Sequence, residues 1–177
     1  CQLGRYAYCA GADLSHMNLS GMDLTGIDLR GANLQNATFD YATLDGADLR
    51  SIFASNASFI RAGMNDTFLQ NAEFNRYSLS ECGGYCGEAN LTYANLYNAD
   101  LTNADFTGAD LRNADLTNVY GSFVDLTDAD LRDANLIDAD LLFADLTDAD
   151  LRFADFTSAE LSYANLTNAD FTSATVT

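Results

Sequence analysis

The chain has 177 residues, 48% of them apolar, and its 26 acidic residues against 8 basic ones give a formal net charge of −18. The apolar content excludes a disordered polyanion. The negative charge argues against binding to nucleic acid or anionic lipid and favours cations or cationic partners. No apolar run approaches the roughly 20 residues that a membrane helix needs, so membrane insertion is not predicted. Because the first residue is Cys1 rather than Met, we expect a mature or excised chain.

The N-terminal segment, residues 1–11, is predicted to cap one end of the fold. Cys1 lies near Cys9 in the sequence and Cys82 lies near Cys86, and two such local pairs favour disulfides and an oxidising compartment. A bond between Cys1 and Cys9 would fasten the segment across an open end of the core. Four free thiols in a cytosolic chain are one alternative, and lipid modification of Cys1 is another.

Residues 12–79 form a first block in which a large apolar residue returns every 5 positions. A helix would scatter these residues around its axis, and a flat strand would put alternate ones on opposite faces. All of them can point inward only if the chain turns a corner after each group. Arg30 and Arg50 are 20 residues apart, so four groups make one four-sided coil. The large residues are Leu14, Leu19, Leu24, Leu29, Leu34, Phe39, Leu44, Leu49, Phe59, Met64, Leu69, Phe74 and Leu79, with Ala54 as an exception for which Ile52 compensates.

Residues 80–90 interrupt the pattern. Leu79 and Leu91 are 12 residues apart, where two groups need 10. We therefore expect two extra residues to bulge from one corner, with Cys82 and Cys86 on either side of the bulge. The regular coil should resume with Leu91 stacked over Leu69.

Residues 89–177 form a second block with the same spacing. Ala stands two positions before most of the large residues, and Asp or Asn stands one position before them. Gly121 is an exception, and we interpret Val119 and Val124 as compensation for its missing side chain. Stacked coils should be about 4.8 Å apart, as paired strands are, and the chain is long enough for about nine of them. The large residues are Leu91, Leu96, Leu101, Phe106, Leu111, Leu116, Leu126, Leu131, Leu136, Leu141, Leu146, Leu151, Phe156, Leu161, Leu166, Phe171 and Val176.

The repeated phrase, exemplified by residues 109–113 (ADLRN), resembles the A(D/N)LXX motif of the pentapeptide-repeat family. The resemblance covers about residues 7–177, with the interruption near 80–90. It implies an all-β fold in a single domain, 1–177, built as a right-handed quadrilateral β-helix. The family is common in cyanobacteria and their relatives, and it includes extracytoplasmic and thylakoid-lumen members.

Catalytic and metal-binding signals are weak in this sequence. His16 should lie at a corner without a nucleophile around it, and no P-loop, dinucleotide fingerprint or metal-binding His pair occurs, so neither an enzyme nor a cofactor is predicted. The spacing of the Asp residues follows from the repeat. The weak candidate for a cation site is the column Asp105, Asp125 and Asp145, which Thr residues flank; a hydrated surface without a ligand is the alternative.

Two columns form a possible interaction surface. Phe123, Phe143 and Tyr163 are 20 residues apart at outward-facing corners, where they form either an interface or a ladder that stabilises the coils. In the other column, Asp110, Asp130 and Asp150 should stack on one side, with Arg112, Arg132 and Arg152 relieving their repulsion.

The sequence favours a non-enzymatic structural or interaction protein in the periplasm or thylakoid lumen, with an unidentified protein partner; a cytoplasmic location is the alternative. The C-terminal end carries no cap in the sequence, so we expect either that a natural cap has been removed or that this end meets a partner, such as a second copy. The resemblance offers a second function, because some family members imitate B-DNA and bind DNA gyrase. A calcium- or cation-binding module is the third.

Overall fold

The computed structural model of the protein describes residues 1–74 and 89–177. Parallel bridges join residues 20 apart, such as Asp130 to Asp150 and Asp150 to Asp170. The chain therefore winds as a coil with four sides of five residues each. Among the described residues, only β1 (Asp155–Phe156) and β2 (Thr175–Val176) are long enough to count as strands, and they pair in parallel with Asp155 opposite Thr175. Each remaining side contributes a single bridge because two corners leave so few extended residues.

We name the four sides by the large buried residues of one coil: the first side contains Leu136, the second Leu141, the third Leu146 and the fourth Leu151. Bridges continue each side along the axis of the coil. On the first side the bridged residues are Tyr8, Asp28, Asp48, Phe68, Asn95, Asp115, Asn135, Asp155 and Thr175.

Each corner is a tight turn that the motif itself specifies. The Leu131 carbonyl accepts a hydrogen bond from the Ala134 N–H (3.0 Å), and Asp133 between them has a φ of 59°. Asn, Asp and Gly tolerate this left-handed conformation better than other residues. The side chain of Asp130, before the large residue, accepts from the backbone N–H of Arg132 (3.2 Å). The Asp or Asn of the repeat thus fixes the turn with its own side chain.

The core consists mainly of Leu, Phe and Ala. The two exceptions are filled by their neighbours: Ile52 and Ala54 are both buried, and a Cβ added to Gly121 would lie 2.9 Å from Leu141 Cδ2. The same added Cβ would lie 3.4 Å from Val124 Cγ1. A side chain at position 121 therefore has no room, which agrees with the expected compensation.

The expected stacking of Leu91 over Leu69 is wrong. Gly63 bridges Asn90, and Phe68 bridges Asn95, so Leu91 lies over Met64. These bridged residues are 27 apart instead of 20, an excess of seven rather than two. The expectation assigned one side of the coil to residues 80–90, but they contain no Leu, Ile, Val, Met or Phe that could fill a side of the core.

The two ends of the coil differ. At the N-terminal end Cys1 and Cys9 form a disulfide, Cys9 is buried, and Leu3 packs against the core. The first backbone hydrogen bond between coils runs from the Tyr6 N–H to the Thr25 carbonyl (2.8 Å). In the last coil described, the predicted core residues Leu166 and Val176 are exposed. Cys82 and Cys86 lie outside the described residues.

Candidate interaction surfaces

The fourth side carries a ladder of alternating Asp and Arg side chains. Each guanidinium binds the carboxylate two residues before it through two hydrogen bonds: Arg132 Nε lies 2.8 Å from Asp130 Oδ1, and Nη2 lies 2.6 Å from Oδ2. Arg132 Nε also lies 3.5 Å from Asp150 Oδ2 of the next coil. Arg112 and Arg152 repeat both contacts, so the Arg residues relieve the column as expected.

This pairing changes the acidity of the column. Hydrogen bonds from the Arg152 guanidinium lower the pKa of Asp150, although burial opposes the shift. Arg112 lowers the pKa of Asp110 in the same way. Asp110 and Asp150 therefore stay charged, and Arg side chains neutralise their charges. Arg30 and Arg50 form the equivalent ladder on the first side, because the interruption moves the repeat by one side.

On the third side, Asp125 and Asp145 have no Arg within ion-pair distance among the described residues. Asp125 accepts from the Thr127 N–H (3.0 Å), and Asp145 accepts from the Thr147 N–H (2.9 Å). Burial raises the pKa of Asp145, but hydrogen bonds from Thr147 and Asn165 outweigh it and leave that pKa lowered. Asp105 accepts from the Thr107 N–H (3.1 Å) on the same side. Within residues 1–74 and 89–177, no group of three His, Cys, Asp or Glu side chains could hold a metal ion.

Phe123, Phe143 and Tyr163 form a continuous stack at the corner between the second and third sides. The ring centroids are 5.0 Å apart in the first pair and 4.9 Å in the second, with the planes within 8° and 13° of parallel. The residues remain 54%, 44% and 79% exposed. The structure therefore supports a ladder, and the ladder still presents its edges to solvent. It is separated from the Asp110 column by the whole third side, so the predicted surface consists of two distinct surfaces.

A second acidic column, which was not predicted, lies at the other corner of the third side. Asp128 and Asp148 lie there, both exposed, and Asp148 accepts from the Asn168 side-chain amide (3.0 Å). Their spacing of 20 residues was a usable signal. This spacing is hard to recognise in the sequence because the Asp before each large residue dominates the pattern.

The remaining candidates do not assemble a reactive site in the described part of the chain. His16 is exposed at a corner, with a φ of 61°. A cavity of about 140 Å³ is lined by residues that include Phe59, Phe74 and Phe106. Among the described residues, no helix is long and apolar enough to span a bilayer.

The family profile of the pentapeptide repeats matches eight copies, over residues 7–40, 85–119, 122–152 and 149–177. The chain belongs to the pentapeptide-repeat family. Its fold is the right-handed quadrilateral β-helix that the resemblance implied. No curated protein matches the chain in sequence.

Solved structures of pentapeptide-repeat proteins are similar to this one. HetL, involved in heterocyst differentiation regulation in the cyanobacterium Nostoc sp. strain PCC 7120, is 29% identical with a TM-score of 0.50, and the match covers 96% of this chain and 78% of HetL. A trypsin-treated form of QnrB1, a plasmid-mediated fluoroquinolone resistance protein, is 19% identical with a TM-score of 0.48, covering 100% and 86%. A protein from the Arabidopsis thaliana thylakoid lumen is 23% identical with a TM-score of 0.20, covering 88% and 68%.

Proposed function

We propose that this protein is a non-enzymatic interaction rod that binds a protein partner through its second block. The observation that carries this proposal is the distribution of charge. Residues 91–177 hold 16 acidic and 3 basic side chains, a net charge of −13, against −5 for residues 1–90. All three of those basic side chains, Arg112, Arg132 and Arg152, bind Asp residues of one side. The other sides therefore present carboxylates that a cationic protein can match.

Affinity capture at two salt concentrations tests this proposal. The immobilised protein is mixed with an extract of its source cells, and retained proteins are identified by mass spectrometry. We expect a basic protein to be retained in about 50 mM salt and released in about 500 mM, because salt screens exposed charges. Retention of nothing beyond what a bare matrix retains would contradict the proposal.

The proposed location is extracytoplasmic, in the periplasm or thylakoid lumen. The support is the disulfide between Cys1 and Cys9, because such bonds persist in oxidising compartments. Thiol titration of the denatured, unreduced protein from its source cells tests this location. We expect no reactive thiol from this pair; a count of four thiols would contradict the proposed compartment.

The exposed end of the last coil is the proposed contact with a second copy. Leu166 and Val176 are 40% and 57% exposed there, and an unpaired parallel edge favours association. Sedimentation of the wild type should show a concentration-dependent dimer that Leu166→Asp abolishes. A wild-type chain that stays monomeric at all concentrations would exclude this contact.

A DNA-mimic role toward DNA gyrase is the second candidate. It is favoured by acidic columns on two neighbouring sides of a rod, with Asp140 and Glu160 on the second side and Asp125 and Asp145 on the third. No Arg lies within ion-pair distance of these four among the described residues. The test is inhibition of gyrase supercoiling by micromolar protein, and a lack of inhibition would remove this candidate.

A further inference from the structure

The third side of the second block combines an exposed aromatic row with two acidic columns, and each acidic column repeats its Asp in successive coils. Across one coil the surface runs from the corner residue Phe143 through Asp145 and Thr147 to the corner residue Asp148. The preceding coil repeats the order with Phe123, Asp125, Thr127 and Asp128. An exposed aromatic row therefore lies alongside two acidic columns.

We propose that this side is a docking surface for a protein segment in which Arg or Lys residues alternate with apolar residues. The inference rests on the proposed function, because it names the surface and the partner class of the interaction rod. The aromatic row would bind the apolar side chains, and the two acidic columns would bind the cations. The aromatic row and the nearer acidic column are two residues apart along an extended chain, about 7 Å.

The requirements of the fold alone do not explain why aromatic residues occupy this corner. Phe123, Phe143 and Tyr163 have φ values of 61°, 59° and 61°, a conformation in which bulky residues are unfavourable and Asn is preferred. Asn occupies the same corner column at Asn36 and Asn56 in the first block. Stacking offsets part of the conformational cost, but the rings stay about half exposed. The partly buried Leu142 extends the apolar strip beside Phe143.

The charge of the occupant follows from the contacts of the carboxylates. Asp125, Asp145 and Asp148 accept hydrogen bonds from backbone N–H, hydroxyl and amide groups, all of which are neutral. These carboxylates therefore accept hydrogen bonds, but none of these donors neutralises their negative charge. A second copy of this surface or a nucleic acid would be repelled, and the absence of a three-carboxylate group among the described residues argues against a lone metal ion. A cationic segment with apolar side chains is complementary to both features.

The chain contains a matched control for this surface. The triplet Phe143–Ala144–Asp145 on the third side has an identical counterpart in Phe153–Ala154–Asp155 on the first side. Phe153 is 59% exposed with a φ of 64°, and Asp155 accepts from the Thr157 N–H (2.9 Å). The same pair of substitutions can thus be made on and off the proposed surface, with the same change in net charge.

The test measures binding of two synthetic peptides by calorimetry in about 100 mM salt. In one peptide Arg alternates with Leu; in the other Ser replaces Leu. The double variant Phe143→Asn, Asp145→Asn should bind the Arg–Leu peptide about tenfold more weakly than the wild type. The control, Phe153→Asn with Asp155→Asn, should bind it within about twofold of the wild type, and the Arg–Ser peptide should show little difference between the two variants.

Equal losses in both variants would overturn the inference, because binding would then depend on net charge alone. Failure of the wild type to bind the Arg–Leu peptide would overturn it as well. Circular dichroism of both variants shows whether each remains folded. Affinity capture on the double variant distinguishes the two proposals. If the variant still retains the same basic protein, the proposed interaction function is supported and the proposed docking surface is wrong.

Discussion

Replacing Phe143 with Asn separates two contributions that act on an aromatic residue at a corner of the coil. The substitution removes two ring contacts, to Phe123 and Tyr163, with centroids 5.0 Å and 4.9 Å apart. It also relieves the cost of a bulky residue at a φ of 59°. The net change in stability depends on which contribution is larger.

The magnitudes follow from the geometry. Each stacked pair contributes about 0.5–1.5 kcal/mol, so the loss of two pairs costs about 1–3 kcal/mol. A left-handed conformation costs an ordinary residue about 1–2 kcal/mol, and Asn recovers part of this. Phe153 has a φ of 64° but no stacked ring among the described residues, so Phe153→Asn isolates the conformational gain. We expect Phe143→Asn to be less stable than Phe153→Asn by about 1–3 kcal/mol.

Urea unfolding followed by circular dichroism measures this difference through the midpoints of the two variants. Phe153→Asn should unfold at the same urea concentration as the wild type or at a higher one, and Phe143→Asn at a lower one. Equal shifts of both midpoints would show that the stacked ring of Phe143 contributes no more to stability than the unstacked ring of Phe153. The aromatic row would then have no structural role in the coil.

Four further outcomes are expected. Gly121→Ala should lower the free energy of unfolding by about 1–3 kcal/mol, because its Cβ would lie 2.9 Å from Leu141 Cδ2. Gly31→Asn, at an open corner with a φ of 65°, should change it by less than about 1 kcal/mol in the same urea assay. Acid should destabilise the fold: hydrogen bonds from a guanidinium lower the pKa of Asp150 in the folded state, so its stabilising contribution is complete above its unfolded pKa of about 3.9 and is lost as the pH falls through the folded pKa. The check is the melting temperature at decreasing pH in about 0.5 M salt, which screens the general repulsion between carboxylates. A melting temperature that rises as the pH falls would contradict this prediction. Cys1→Ser should lower stability by roughly 2–3 kcal/mol through loss of a short closed loop, with faster amide exchange confined to the first coils; unchanged exchange there would contradict the capping role.

The regular part of the fold could be predicted because each group of five residues contains the side chains that specify its own turn and its own core contacts. The large apolar residue and the Ala fill the interior, the Asp or Asn binds the backbone at the turn, and Asn, Asp or Gly takes the left-handed corner. The stacking partners could not be predicted across the interruption, because residues 80–88 lack the motif that fixes the register of the coil. Across the interruption, the Arg ladders of the two blocks lie on neighbouring sides of the coil.

The candidate surfaces were predictable in part for the same reason. A spacing of 20 residues identified the aromatic row and the Arg-relieved Asp column within the second block. The spacing did not show that the row stacks face to face, nor that Asp128 and Asp148 form a second acidic column across the same side. Those relations join residues on different columns, and they depend on how side chains fill the surface between corners.

The sequence by itself determined the four-sided coil, because local turn chemistry and a dry apolar interior repeat in every group of five residues. The tertiary structure decided which carboxylates are neutralised and which remain uncompensated. Charge compensation depends on which columns face each other across a corner or along the axis, a relation between coils that no single repeat contains.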